Sequence, residues 1–426
     1  MTSEARSGVA LCAASVLLLA LGFCLPREGE EGTSPAPNGE TWPQFRGPRG
    51  LGTAPADDRY PLDWDVAAGR NVVWEANLSA RGHSSPIVWR ERIFLTGEIA
   101  GRGHILCFSS ADGTMLWDRA VVTLPPDRPL PDMGGGLCAP TPATDGRRVF
   151  ALFATGDVVC LDVDGKALWS RHLCDPVNSF GLCGSLVLWK GSVIVQLDQG
   201  NTQDEGLSAI LALDKRTGRK IWSTPRSVPN SWSTPLIIEH GGRPELITCA
   251  NPFVIAYDPD TGRELWRATG LGGEVVPMPT FAADLVFAAN ANSSLLAIVP
   301  GGRGDVTATR VAWTAQDGLP SMASPLADGQ RLLLCGDGEL TCYDANSGRL
   351  LWQEEEGESF WASPTLVGRN VYLPDQTGKM LIFELGDRYK LLSCPDVGDE
   401  ITATPAFAGG RIYLRTKGRL FCIGTP

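Results

Sequence analysis

The sequence predicts an all-β fold: an eight-bladed β-propeller built from four-stranded antiparallel blades. Three observations predict it. Seven of the 13 Trp residues end a similar phrase, namely VVWEA (Trp74), GTMLWDR (Trp117), GKALWSR (Trp169), GRKIWST (Trp222), GRELWRA (Trp266), VAWTA (Trp313) and GRLLWQE (Trp352), at steps of 43, 52, 53, 44, 47 and 39 residues. That period suits a unit of four short strands. A second phrase of small residues, usually with Pro, opens an apolar strand eight times, as SSPIV (Ser84), APTPA (Ala139), GSLVL (Gly184), STPLI (Ser233), MPTFA (Met278), ASPLA (Ala323), ASPTL (Ala362) and ATPAF (Ala403). The chain also holds 49 Gly and 31 Pro in 426 residues, about one residue in five against a usual one in eight, so it turns often.

Taken from the N-terminus, residues 1–25 contain a 17-residue apolar run, Val9 to Leu25, after a weakly basic start, which reads as a signal peptide or membrane anchor. Leu21-Gly22-Phe23-Cys24 approaches a lipobox, with Phe23 where a small residue is expected, so Cys24 is a candidate for lipidation. Residues 26–41 are too rich in Pro, Gly and Glu to fold and read as a disordered linker. Residues 42–69 form a leader segment, and the propeller occupies 70–426. The folded part is therefore expected outside the cytosol, periplasmic or membrane-anchored in a Gram-negative-type envelope, touching membrane only through its N-terminus.

Within each repeat, runs such as RIFLTG (Arg92), RVFALF (Arg148) and RLLLCG (Arg331) alternate as strands do, and a third strand follows, such as VVCLD or VIAYD. In YDPDTGRELW, Asp258 and Asp260 favour a turn and Gly262 supplies a positive φ before the strand that ends in Trp266. Asp162, Asp214, Asp258 and Asp344 share one repeat position and read as turn caps. KLLS at Lys390–Ser393 is a copy that has lost its Trp. The last repeat has three strands, whereas Asn71–Leu78 is an outer strand with no copy before it. The early strand is thus expected to complete the last blade and close the ring without a free edge.

Ten cysteines follow Cys24. Cys107, Cys160, Cys342 and Cys422 share a repeat position with Ala212, Ala256 and Ala297, which suits a small buried hydrophobe. Cys174 with Cys183 and Cys335 with Cys342 remain conceivable pairs. The net charge of −11 repels polyphosphates, so nucleic acid is not an expected partner. No Cys/His metal spacing and no GxSxG, HExxH, Walker or EF-hand phrase occurs. The four His are scattered and read as surface or turn residues, and the acidic stretch Glu354–Glu358 as a solvated face.

The Trp phrases and small-Pro strand starts resemble the pyrroloquinoline-quinone-like (PQQ-like) propeller repeats of bacterial quinoproteins and BamB-type outer-membrane assembly lipoproteins, over about residues 70 to 426. WPQFRGPRG (Trp42–Gly50) is similar to the leader of exported, planctomycete-type proteins with these repeats. The resemblance implies that the repeat Trp residues, Trp74, Trp117, Trp169, Trp222, Trp266, Trp313 and Trp352, dock onto the neighbouring blade. Quinoproteins of this kind hold PQQ with Ca²⁺, a stacking Trp and a disulfide between adjacent cysteines; this chain has no adjacent Cys pair. No catalytic, metal or cofactor residue is assigned, and no cofactor is expected.

The most function-like cluster is Asp198, Gln199 and Asn201 in QLDQGNTQ, with Arg226, Ser231 and Trp232 ahead of the next blade. These, with Trp361, are candidates for a ligand- or partner-binding rim: Arg226 for pairing a carboxylate, the Trp residues for stacking. The function expected is a non-catalytic, monomeric envelope scaffold that binds proteins or extended peptides. A PQQ-dependent dehydrogenase with Ca²⁺ is the first alternative, and a carbohydrate-binding module using Trp232 and Trp361 the second.

Overall fold

Alternating apolar strands joined by tight Gly turns form eight separate antiparallel sheets in the computed structural model, which describes residues 39–123 and 136–425. Each sheet is one blade. Four strands per blade run outward from an inner strand, as in blade 3, where Val187–Trp189, Ser192–Leu197, Ala209–Asp214 and Lys220–Pro225 pair in sequence order. The expected signal or anchor segment, Cys24 and the linker up to residue 38 lie outside the described residues. Among the described residues, no helix is long and apolar enough to cross a membrane.

Closure is as the strand count requires. Val72–Asn77 pairs antiparallel with Arg419–Ile423, the third strand of blade 8, so the early strand becomes that blade's outermost. The join also repeats the contact made between other blades. Trp74 Nε1 donates to Ser110 O of blade 1 at 3.1 Å, just as Trp117 donates to Val163 O at 3.1 Å, Trp169 to Lys215 O at 3.0 Å, Trp313 to Ala345 O at 3.2 Å and Trp352 to Gly386 O at 2.9 Å. The indole lies on the next blade's last turn. A Cβ on Gly165 would stand 2.8 Å from the Trp117 ring, and one on Gly218 2.6 Å from Trp169, so these turns need Gly for close approach as well as for positive φ.

The position opposite each Trp explains the repeat's Cys/Ala preference. Cys107 faces Trp117, Cys160 faces Trp169, Ala212 faces Trp222, Ala256 faces Trp266, Ala297 faces Trp313, Cys342 faces Trp352 and Cys422 faces Trp74. All seven small residues are fully buried. In blade 7 the Trp has become Ser393, and its partner is Ile382. The large and small members have exchanged strands, which keeps the inter-blade volume filled. All ten described cysteines are free, so neither conceivable pair is bridged.

Blade 4 departs from the pattern. Trp266 does not hand its N–H to the neighbouring blade, as the resemblance implied; Nε1 donates to Glu245 Oε2 of its own blade at 2.8 Å. The reason lies in blade 5. There the usual short turn is replaced by a longer connection whose Gly304–Asp305 pairs in parallel with Trp266 and Arg267, covering blade 4's outer edge and burying Trp266 completely. Trp222 keeps the packing on the next blade's turn but its buried Nε1 has no hydrogen-bond partner.

Candidate functional site

Each blade is entered by a connection that crosses from the previous outer strand to the new inner strand, and these connections ring one mouth of the central channel. The residue before each strand-opening Pro, or before Leu186 in blade 3, supplies a hydroxyl at seven of eight places. Ser85 N donates to Thr141 Oγ1 at 2.9 Å, Thr141 N to Ser185 Oγ at 3.0 Å and Ser185 N to Thr234 Oγ1 at 2.8 Å. Met278 N then donates to Ser324 Oγ at 3.1 Å, Ser324 N to Ser363 Oγ at 3.0 Å, Ser363 N to Thr404 Oγ1 at 2.9 Å, and Thr404 N to Ser85 Oγ at 3.1 Å. Every blade is tied to the next in this way except between the fourth and fifth, where Met278 offers no hydroxyl and Ser233 Oγ instead donates to Pro277 O at 3.0 Å. The Ser/Thr-Pro signature is thus a girdle of buried hydrogen bonds about the axis.

Two residues before each girdle position, on the mouth side, stand His83, Ala139, Cys183, Trp232, Val276, Met322, Trp361 and Thr402. None carries a carboxylate, ammonium or guanidinium. His83 is half-buried and shares a 2.8 Å hydrogen bond through Nδ1 with Thr402 Oγ1, and its ring lies 6.3 Å from that of Trp361. Burial, and then the nearby Arg415, push its imidazole below the usual pKa, with Glu400 opposing. Trp361 is 36% exposed, the most open of the mouth aromatics.

The structure brings together most of the rim candidates, but inside the wall. Arg226 Nε and Nη2 meet Asp198 Oδ1 and Oδ2 at 2.7 and 3.1 Å, and both side chains are completely buried. Arg226 Nη1 also donates to Thr248 Oγ1 at 2.6 Å and to Tyr257 Oη at 3.1 Å. Ser231 Oγ and Gln196 Nε2 donate to Asp198 Oδ2 at 2.7 and 2.8 Å. Burial works against the Arg226 charge, yet Asp198 and Tyr257 more than offset it and hold its pKa above the ordinary value. The bidentate pairing that Arg226 was expected to make with a ligand's carboxylate is made instead with Asp198. This network fastens blade 3 to blade 4.

The remaining candidates divide. Gln199 is buried and staples its loop, accepting from Val177 N at 3.1 Å and donating to Leu207 O at 3.3 Å. Trp232 is also buried: Nε1 donates to Asn178 Oδ1 at 2.7 Å and Gly181 O at 3.1 Å, and Phe180 packs edge-on at 5.0 Å. It presents no open face for stacking. Asn201 is exposed at the start of the 203–205 turn, and Trp361 sits across the mouth, apart from the cluster. Sequence reading missed Gln196, Thr248, Tyr257 and Asn178 as members of the network, and His83 and Thr402 beside Trp361. Only the parity of Gln196 and Thr248, polar residues in apolar strands, could have pointed to the first two.

A protein-family model described as outer membrane protein assembly factor BamB matches residues 62–204, 206–355 and 253–426. The chain is 22% identical over 362 residues to outer membrane protein assembly factor BamB of Burkholderia pseudomallei (strain K96243), covering 81% of this chain and 85% of that protein. It is 28% identical over 169 residues to quinohemoprotein alcohol dehydrogenase ADH-IIG of Pseudomonas putida, covering 34% of this chain and 21% of that protein. Among solved structures, BamB from Moraxella catarrhalis superposes with a TM-score of 0.61 at 14% identity, over 82% of this chain and 97% of that one, a likeness of fold.

Proposed function

The chain belongs to the propeller family described as outer membrane protein assembly factor BamB, and from that premise we propose that it is a non-catalytic scaffold of the cell envelope. It is exported, held near a membrane by its N-terminal segment, and presents the loops of its open channel mouth to envelope proteins or extended peptides. The observation that carries this reading is the state of the cluster that looked most reactive. Asp198, Arg226 and Ser231 pair with one another and with Gln196 Nε2 in a buried network, so the one hydroxyl that donates to Asp198 is itself buried and meets a carboxylate already held by Arg226. Groups committed in this way hold a surface in shape.

The quinone-dependent alternative, raised by the likeness to a quinohemoprotein dehydrogenase, fits these residues poorly. An anionic quinone with Ca²⁺ needs cations for its carboxylates and a cluster of oxygen donors for the metal. The eight mouth positions are uncharged, and Arg415 commits Nη1 to Ser84 and Thr96 oxygens and Nη2 to Ala80 O. Among the described residues no group of three or more His, Cys, Asp or Glu is placed to hold a metal ion. The exposure of Trp361 supports a second reading, carbohydrate binding by stacking at the mouth.

The deciding experiment mixes the purified protein with quinone and Ca²⁺, passes it through gel filtration and reads absorbance and alcohol oxidation. The expected result is no retained quinone; stoichiometric retention with turnover would overturn the scaffold reading. A glycan array with the protein and its Trp361→Ala variant separates the second reading, which requires binding that the substitution abolishes.

A further inference from the structure

The segment from Gly39 to Ala56 runs across the channel mouth opposite the hydroxyl girdle, at the end where each inner strand turns into the second. Its contacts are with nearly the whole ring. Gly409 N of blade 8 donates to Gly39 O at 2.6 Å, Thr41 and Trp42 pair antiparallel with Trp89 and Val88 of blade 1's inner strand, and Thr144 N of blade 2 donates to Pro43 O at 2.8 Å. Phe45 and Leu51 pack on the core shared by blades 4 and 5, where Leu236 and Met278 lie. Arg46 Nη2 donates to Pro325 O of blade 6 at 2.7 Å. Leu366 N of blade 7 donates to Gly52 O at 2.8 Å, and Thr53 and Ala54 pair in parallel with Leu366 and Val367. Within the 16 residues from Gly39 to Ala54 the segment thus touches seven of the eight blades.

The segment is also shaped for that seat. Trp42 is 1% exposed and folds back over Gly47, where an added Cβ would come within 2.8 Å of the indole, while Phe407 of blade 8 packs at 5.9 Å. Gly50, at a φ of 70°, lies against Met278 and Leu236, where an added Cβ would stand 3.0 Å from Met278 Cε and 3.3 Å from Leu236 Cδ1. Arg46 is buried with Nε and Nη1 unpartnered, and burial lowers its pKa to about 9. A guanidinium taken out of water without a carboxylate is costly, so the segment is held by its apolar anchors and main-chain bonds.

We infer that residues 39–56 are a built-in plug that closes the hairpin-side mouth of the channel and clasps the ring, on the side away from His83, Trp361 and Thr402. The plug and the closing strand Val72–Asn77 come from one stretch of chain, so the ring is fastened both at its centre and at its rim.

The test cuts the plug from the ring in the folded, full-length protein. A protease site is inserted after the exposed Asp58, the protein is cleaved under native conditions, and gel filtration with mass spectrometry asks whether the N-terminal piece stays with the ring. It is expected to co-elute, with the amides of Gly409, Thr144 and Leu366 still slow in hydrogen exchange. Trp42→Ala in the same cut protein is expected to speed release at least tenfold and to expose those three amides while Ser85 and Ser324, in the girdle, stay protected. Release of the wild-type piece from a ring that remains folded would overturn the inference, and so would equal retention of the Trp42→Ala piece. In uncut protein, fast exchange at the three amides would overturn it independently of any variant.

Discussion

Thr141→Val tests the idea that the Ser/Thr-Pro phrase is a hydrogen-bonded girdle. Valine keeps the shape of threonine and replaces only the hydroxyl, so no cavity opens at this 2% exposed site. What is lost is the acceptor of the 2.9 Å bond from Ser85 N, in a place where Ser85 itself is 3% exposed. Leaving a buried donor unmade costs about 1–3 kcal/mol, more than the roughly 0.5–1.5 kcal/mol net worth of an average bond, because no water replaces the acceptor. The bond from Thr141 N to Ser185 Oγ is untouched, so the loss is confined to the joint between blades 1 and 2. Native-state hydrogen exchange at Ser85 reads it directly: its protection is expected to fall by about 5- to 150-fold, the same free energy expressed as an equilibrium ratio. The Ser324 amide on the far side of the ring should not change. If Ser85 exchange moves by less than about twofold, the girdle contributes no inter-blade stability and the reasoning fails.

Three further outcomes follow from the packing and the buried charges. Arg226→Met leaves Asp198 a buried carboxylate with only Ser231 and Gln196 to solvate it, and a loss of about 3–5 kcal/mol in urea denaturation is expected; Arg226→Met with Asp198→Leu should recover most of it, and a double variant as unstable as the single would refute the pairing. Ala212→Ile forces a larger side chain against Trp222 and should cost at least about 1–3 kcal/mol, whereas Ile382→Val in blade 7, which faces Ser393, should cost about 0.5–1.5 kcal/mol; denaturant midpoints compare the two. His83 is held below its ordinary value of 6.5, so just below that pH the unfolded chain binds more protons than the folded one and stability falls as the pH drops. His83→Gln should flatten that part of the stability curve between pH 6.5 and 5, and an unchanged slope would assign it to other groups.

What could be read from the sequence is what repeats. The Trp phrase, the turn Gly after Asp214 or Asp258 and the Ser/Thr-Pro opening each recur because each blade solves the same packing problem, and repetition exposes them in one chain. Even the lost Trp of KLLS had its compensation in view, since Ile382 stands where other blades carry Cys or Ala. Features that occur once stayed hidden for the same reason. The Trp266 exception depends on an insertion in the next blade, Gly304–Asp305, whose two residues carry no strand signal of their own. Arg226 and Asp198 stand 28 residues apart, and their chemistry seemed available to a ligand because sequence cannot show that each is the other's only buried counter-ion among the described residues. The leader shows the limit most clearly. WPQFRGPRG looked like a prelude to the fold, yet Trp42, Arg46 and Gly50 are among its most buried residues, because a segment used once, across the axis of a repeat, has no copies against which its role could be recognised.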